Sequence, residues 1–355
     1  MPTRTRTSVR RAVTALATTA VALVAFTGCS SAPDDASTID RTTTRIAGAG
    51  VVGIERDTAT ACATPTPVDA GLVPGTTHPV VHTLGEAQVP VDPQRIVVLD
   101  PAALDAVCAL GLWERVVGAA TVAGETPQPG YLGSGISEIP PIGTVGAPDV
   151  TKIEQANPDV ILGSSPASDE LYGQLGAIAP TVFAGSDPVY WKTQFQLAGD
   201  ALGRSQAAAA ALEQYQEDAT QAGVDITAAQ TQASLVSFGP DSLSILGPAT
   251  FAGQVLADTG VRRPQEQRLD GAATEVVPED ELDRAEGDLI YVSFEGPEAK
   301  THGTEVMNTE EWKDLQAATD NRVFVVDNAV WAGNGLVAAR AVIADLRSSL
   351  HAFVS

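Results

Sequence analysis

One pattern occurs twice in this chain, and it leaves few folds open. Residues 158–183 carry PDVILGSS followed by LGAIAPTVF, and residues 287–326 carry GDLIYVSF followed by LQAATDNRVFVV. Each reads as strand, helix, strand. Short apolar strands without alternation belong in parallel sheets covered on both faces. RIVVLD (95–100) and RVVGAA (115–120) extend the first set, and ASLVSFG (233–239) extends the second. Between the sets lies the longest helical pattern, in which Phe195, Ala198, Leu202, Ala209, Leu212, Tyr215 and Ala219 share one face. Asp187-Pro188 starts it as cap and first turn, and Gly223 is its expected end. The predicted fold class is therefore α/β, with two Rossmann-like lobes (78–186 and 224–355) joined by one backbone helix (187–223). A hairpin, HPVVHTLGEAQVPV, turns at Leu84-Gly85 and opens the first lobe.

Residues 1–28 stand apart from this pattern. Arg4, Arg6, Arg10 and Arg11 precede an apolar run from Ala12 to Phe26, the layout of a signal peptide. Phe26-Thr27-Gly28-Cys29 resembles a bacterial lipobox, so Cys29 is the expected lipidation site, tethering the chain to the outer face of a membrane. Residues 29–77 then read as a lipidated cysteine, a flexible tether and an N-terminal arm expected to lie on the first lobe. Outside the cytoplasm disulfides persist, and Cys62 and Cys108 are the two cysteines left to pair. Their bridge would be worth about 3–4 kcal/mol on the chain-entropy model; two buried free thiols are the competing reading.

Charge and side-chain chemistry then exclude whole classes. The 355 residues carry a net charge of −23, which argues against nucleic acid, since phosphate binding needs a clustered basic face. The four histidines, His78, His82, His302 and His351, form no triad pattern and no metal-ligand spacing. A catalytic role, a resident metal and a cofactor are not expected. Small-molecule binding is, because ligands of open α/β sheets settle outside the carboxyl ends of the strands. Those ends supply Asp100, Thr144, Ser164 and Ser165 from the first lobe, and Phe238, Phe294, Glu295, Trp331 and Asn334 from the second. Tyr131 joins them from the loop ETPQPGYLG. Asp100 also fits as N-cap of a helix through AALDAVCALG. The corner IGTVGAPDV (142–150) has no charge between Gly143 and Pro148, so Thr144, Val145 and backbone amides are what it offers a ligand.

PQRIVVLDPAALDAVCALGL, NPDVILGSS…LGAIAPTVF, the long central helix and EEWKDLQAATDNRVFVVDNAVWAGNGLVAARAVIADL together resemble the helical-backbone substrate-binding proteins of ABC importers. These importers serve ferric siderophores, heme and cobalamin. The arm TTTRIAGAGVVG…ACA and Cys108 look like the actinobacterial, FecB-type ferric-dicitrate lipoproteins. The resemblance implies a monomer that captures a ferric siderophore, an Fe(III) chelate, between its lobes and delivers it to an ABC permease. Hydroxamate-binding relatives carry arginine where this chain has Val145, so a highly anionic chelate is disfavoured unless Arg268, in VRRPQEQRLDG, reaches the cleft. Importers of this kind also dock through one glutamate per lobe; the first-lobe position is Thr151 here, and Asp280 keeps a carboxylate at the second. Two alternatives stand beside siderophore capture. One is an envelope scaffold that keeps the fold without transport, and the other is a heme or cobalamin binder.

Overall fold

Val97, Val98, Ile161, Leu162 and Val182 have no polar side-chain face to turn to water, so their strands are buried on both sides. In the computed structural model, which describes residues 44–122 and 128–354, they form a six-stranded sheet. Its order is Thr181–Phe183, Val160–Gly163, Ile96–Val98, Val116–Thr121, Pro141–Thr144 and Ala147–Pro148. The first five run parallel, and the last turns back antiparallel. The predicted hairpin is present as Thr77–His82 paired with Gly85–Pro90. The expected signal peptide, the expected lipidation site Cys29 and the expected tether up to residue 43 lie outside the described residues.

The second sheet has seven strands. Ala233–Phe238, Leu289–Phe294 and Val323–Val325 run parallel, as the repeated pattern predicts. On one side Leu243–Leu246 and Thr274–Val277 continue it antiparallel. On the other side the arm itself joins: Ala49–Val51 pairs parallel with Val323–Val325, and Arg45–Ile46 pairs with Ala49–Val51. The start of the arm thus belongs to the second lobe, not the first. Its apolar IAGAGVV stretch finds a partner at an open sheet edge, where unpaired backbone groups favour another strand. Farther along, the arm does reach the first lobe, where Cys62 and Cys108 are joined in a disulfide.

The connection between lobes departs from the single helix expected over 187–223. It is two helices, Trp191–Ala201 and Ser205–Asp225, broken at Leu202-Gly203-Arg204. Gly203 lies in the left-handed region (φ 67°), and a Cβ there would sit 2.2 Å from the Val91 carbonyl oxygen. Arg204 is buried at the break, donating to the Leu202 carbonyl and to Asp92. Asp69 of the arm caps the second helix by accepting from Gln206 N at 3.1 Å. The second helix also runs past Gly223, where the sequence placed the end, to Asp225. Gly203→Ala is expected to lose about 1–3 kcal/mol from backbone conformation alone, read as a lower urea midpoint; an unchanged midpoint would mean the break is not fixed here.

The spine is fastened to the second lobe by aromatic packing. Trp191 meets Tyr215 edge-on at 5.2 Å and Phe251 at 5.6 Å. Tyr215 donates to Asp258 at 2.7 Å, and burial beside that carboxylate pushes its hydroxyl pKa up.

Candidate ligand cleft

Two first-lobe strands end close together, and one carboxylate organises them. Asp100 follows Ile96–Val98 and caps the helix Pro101–Ala109, accepting from Ala103 N at 2.9 Å. It also accepts from Ser164 N, just beyond Val160–Gly163. Burial pushes its carboxyl pKa up, and these N–H donors pull against that shift. Asp100 is nearly inaccessible, so it shapes the floor of the cleft and does not face a ligand as expected. Ser164 beside it is half-buried and Ser165 exposed.

Against these strand ends lies a recess of about 30 Å³. Its walls include Ala102, Ala106, Ser164, Gln194, Phe195 and Asn334. Gln194 and Phe195 come from the first spine helix, while Asn334 comes from the second lobe, just before the helix Leu336–Val354. Asn334 sits in the left-handed region (φ 53°), which asparagine tolerates better than most residues. Its Nδ2 donates to Gln194 Oε1 at 2.9 Å, and its Oδ1 is buried without a hydrogen-bond partner. An acceptor left unpaired in this way costs free energy unless something donates to it. The recess has room for a water or two and no more. It is too small to enclose a larger ligand by itself.

The corner 142–150 lies on the same sheet. Pro141–Thr144 turns tightly into Ala147–Pro148, and Asp149 caps the helix Val150–Ala156 through Thr151 N and Lys152 N. The corner is thus a small hairpin and not a direct strand-to-helix step. Thr144 is half-buried, and Val145 at the tip is 46% exposed. In the second lobe Phe294 is half-buried and Glu295 exposed, with Glu295 Oε1 accepting from Ser237 Oγ at 3.1 Å.

Three aromatics expected to wall the cleft are interior instead. Phe238 is fully buried, 5.9 Å from both Phe294 and Trp312 in the second-lobe core. Tyr131 is buried and donates to Asp105 at 3.0 Å. Trp331, expected to stay accessible in a loop, ends the short helix Asn328–Trp331. Its ring lies 4.5 Å from Tyr291, and its Nε1 donates to Asp345 at 2.9 Å. An apolar ring with one satisfied donor is as stable in the interior as at a wall. Arg268 and Arg262 are exposed, whereas Arg263 is buried and donates to the carbonyls of Ala233 and Leu246. Burial lowers the Arg263 pKa to about 9. Thr151 and Asp280, the two docking positions, are both exposed.

Sequence reasoning missed the residue that joins the lobes. Asp105 is fully buried in the first-lobe helix Pro101–Ala109, yet it caps the second-lobe helix Leu336–Val354. It accepts from Val337 N and Ala338 N at 2.9 Å each, and from the Tyr131 hydroxyl. Burial pushes its pKa up to about 6, against the pull of these donors and of Arg340. The available signal was a lone charge in an otherwise apolar helix, PAALDAVCA. Gln194 carried no such signal. Among the described residues, no group of three or more His, Cys, Asp or Glu is placed to hold a metal ion.

With this geometry in place, similarity to known proteins becomes informative. The sequence profile described as "Periplasmic binding protein" matches residues 96–330. The chain belongs to the periplasmic binding protein family. Relatives of this periplasmic binding protein include the probable siderophore-binding lipoprotein YfiY of Bacillus subtilis. The two are 26% identical over 289 residues, covering 77% of this chain and 87% of YfiY. The achromobactin-binding periplasmic protein of Dickeya dadantii is 26% identical over 269 residues, covering 72% and 85% respectively. Staphylococcus aureus SirA, solved in complex with staphyloferrin B, superimposes with a TM-score of 0.68 at 26% identity. That match covers 78% of this chain and 99% of SirA. Members of this family bind and deliver substrates and are not enzymes, and this periplasmic binding protein shares their two-lobed α/β fold.

Proposed function

We propose that this protein captures a ferric siderophore outside the cytoplasm and passes it to an ABC permease, held at the membrane by lipid on Cys29. The likeness to SirA carries this reading, because it spans both lobes of a protein crystallised with staphyloferrin B, and the relative YfiY is a probable siderophore-binding lipoprotein. The ligand would rest on the recess between lobes, against Ser164, Ser165 and Asn334, with Thr144, Val145, Phe294 and Glu295 along the rim. Among the described residues, none that lines the recess is charged. That lining and the exposed Val145 favour a chelate of low net charge with apolar surface, since a strongly anionic one would want a facing cation. Ferric dicitrate, the ligand of the FecB-type lipoproteins, is more anionic than this lining favours.

The test is a titration of the full-length chain in detergent against ferric hydroxamates, ferric catecholates, ferric dicitrate, heme and cobalamin. Tryptophan quenching is followed, with free tryptophan as the optical control. Saturable binding of an uncharged ferric chelate is expected. Asn334→Ala should weaken that binding about tenfold, the worth of one hydrogen bond. Binding of none of the panel by a folded chain would sink the proposal and favour an envelope scaffold, a reading to which the exposed Thr151 in place of a docking glutamate already lends weight.

A further inference from the structure

Residues 44–66 belong to neither strand–helix repeat, yet they are fastened to both lobes. Ala49–Val51 adds an edge strand to Val323–Val325, and Val52 N donates to the Val325 carbonyl at 3.0 Å. Arg56 then reaches the helix Leu336–Val354, its Nη2 lying 2.7 and 2.9 Å from the two carboxylate oxygens of Asp345. Asp345 is itself buried and shared with Trp331 Nε1, so this second-lobe anchor is well packed.

A few residues later the chain is bound to the first lobe. Cys62 forms its disulfide with Cys108 in the helix Pro101–Ala109. Ala63 N donates to the Cys108 carbonyl at 3.0 Å, and Thr66 gives both its N–H and its hydroxyl to the Leu110 carbonyl. The fit is close, because a Cβ on Gly111 would lie 2.2 Å from the Thr64 carbonyl oxygen.

We propose that residues 44–66 are a strap that sets how far the two lobes can move apart, with the Cys62–Cys108 bond as its first-lobe anchor. Fully extended, the step from Arg56 to Cys62 reaches about 20 Å and cannot stretch further. The lobes also meet through Asp105 and the amides of Val337 and Ala338, but hydrogen bonds open and close reversibly. Once that contact and the packing of Pro101–Ala109 on Leu336–Val354 open, the spine and the strap are what still hold the lobes together. One end is covalent, so excess motion must first peel the edge strand and the Arg56–Asp345 pair from the second lobe.

The experiment compares three full-length chains in detergent. One is unaltered, one is Cys62→Ser/Cys108→Ser, and one keeps the disulfide but carries about twelve Gly and Ser residues inserted after Asp57 as slack. Spin labels on genetically encoded ketone residues replace the exposed Lys152 and Lys300, one on each lobe. The unaltered chain should give one narrow distance distribution. The slack chain should give a broader one with longer separations, and amide exchange at Val337 and Ala338 should speed up about tenfold. The double serine chain, if it folds, should match the slack chain. Since the slack chain retains its disulfide, loss of a stabilising crosslink cannot explain its behaviour. A folded slack chain with the distances and exchange of the unaltered one would overturn the proposal, whatever the double serine chain does.

Discussion

Asp105→Ala is expected to destabilise the folded chain by about 3–5 kcal/mol. The substitution leaves the Val337 and Ala338 amides and the Tyr131 hydroxyl without the acceptor they share. Each buried donor left unpaired costs about 1–3 kcal/mol. Urea unfolding at neutral pH measures the loss, and a change below about 1 kcal/mol would show that water enters and replaces the carboxylate. The same group predicts a pH effect of definite sign. Its folded pKa, about 6, lies above the value of 3.8 for a free Asp side chain. The folded chain therefore binds this proton more tightly than the unfolded chain does. Asp105 contributes that stability in full below about pH 4 and loses it as pH rises through 6. Asp105→Asn removes the titration, so the difference in stability between mutant and parent should change across this window and stay level above it.

Trp331→Ala should be as costly, about 3–5 kcal/mol, and should act on folding before ligand affinity. The ring packs against Tyr291 in the interior, so its removal opens a cavity. Its Nε1–H is also one of the groups that hold Asp345, whose burial pushes its carboxyl pKa up and whose other partner is Arg56. Trp331→Phe separates the two effects, because it keeps most of the packing and removes the donor. That variant should lose about 1.5–3 kcal/mol, the range for a hydrogen bond to a charged group. Calorimetry with a parallel siderophore titration checks both parts. A Trp331→Ala chain that melts like the parent but no longer binds would return Trp331 to the cleft wall.

These two residues also show what the sequence made legible. The parallel strands were readable because Val97, Val98, Ile161 and Leu162 are apolar on both faces, and buried strands admit nothing else. The helix caps at Asp100 and Asp187 were readable because each is a local contact between neighbours in sequence. Trp331 was misplaced because its donor is satisfied by Asp345, fourteen residues on, and nothing in the sequence marks such a partner. The spine break was hidden because apolar spacing stays in phase across Leu202-Gly203, while the reason for the break lies at Val91 and Asp92. Leu243–Leu246 and Thr274–Val277 were missed because neither is buried along its whole length, so neither carries the unbroken apolar run that marks the parallel strands. In the cleft, strand ends could be located in advance. Which side chains face a ligand depends on contacts between lobes, such as Asn334 with Gln194, that no local pattern encodes.

The pairing of Ala49–Val51 with Val323–Val325 has a kinetic side as well. A strand near the beginning of the chain can be satisfied only after a strand near its other end has formed, so the second sheet is completed by one of the most distant contacts available. Contacts of that sequence separation slow folding, because loop-closure entropy is lost before the pairing returns anything. During synthesis the early strand waits, with the backbone groups that face Val323–Val325 unpaired, until nearly all of the protein has been made. Refolding should accordingly show its last protection from exchange at Val52, whose N–H donates to the Val325 carbonyl, after the first sheet is already closed.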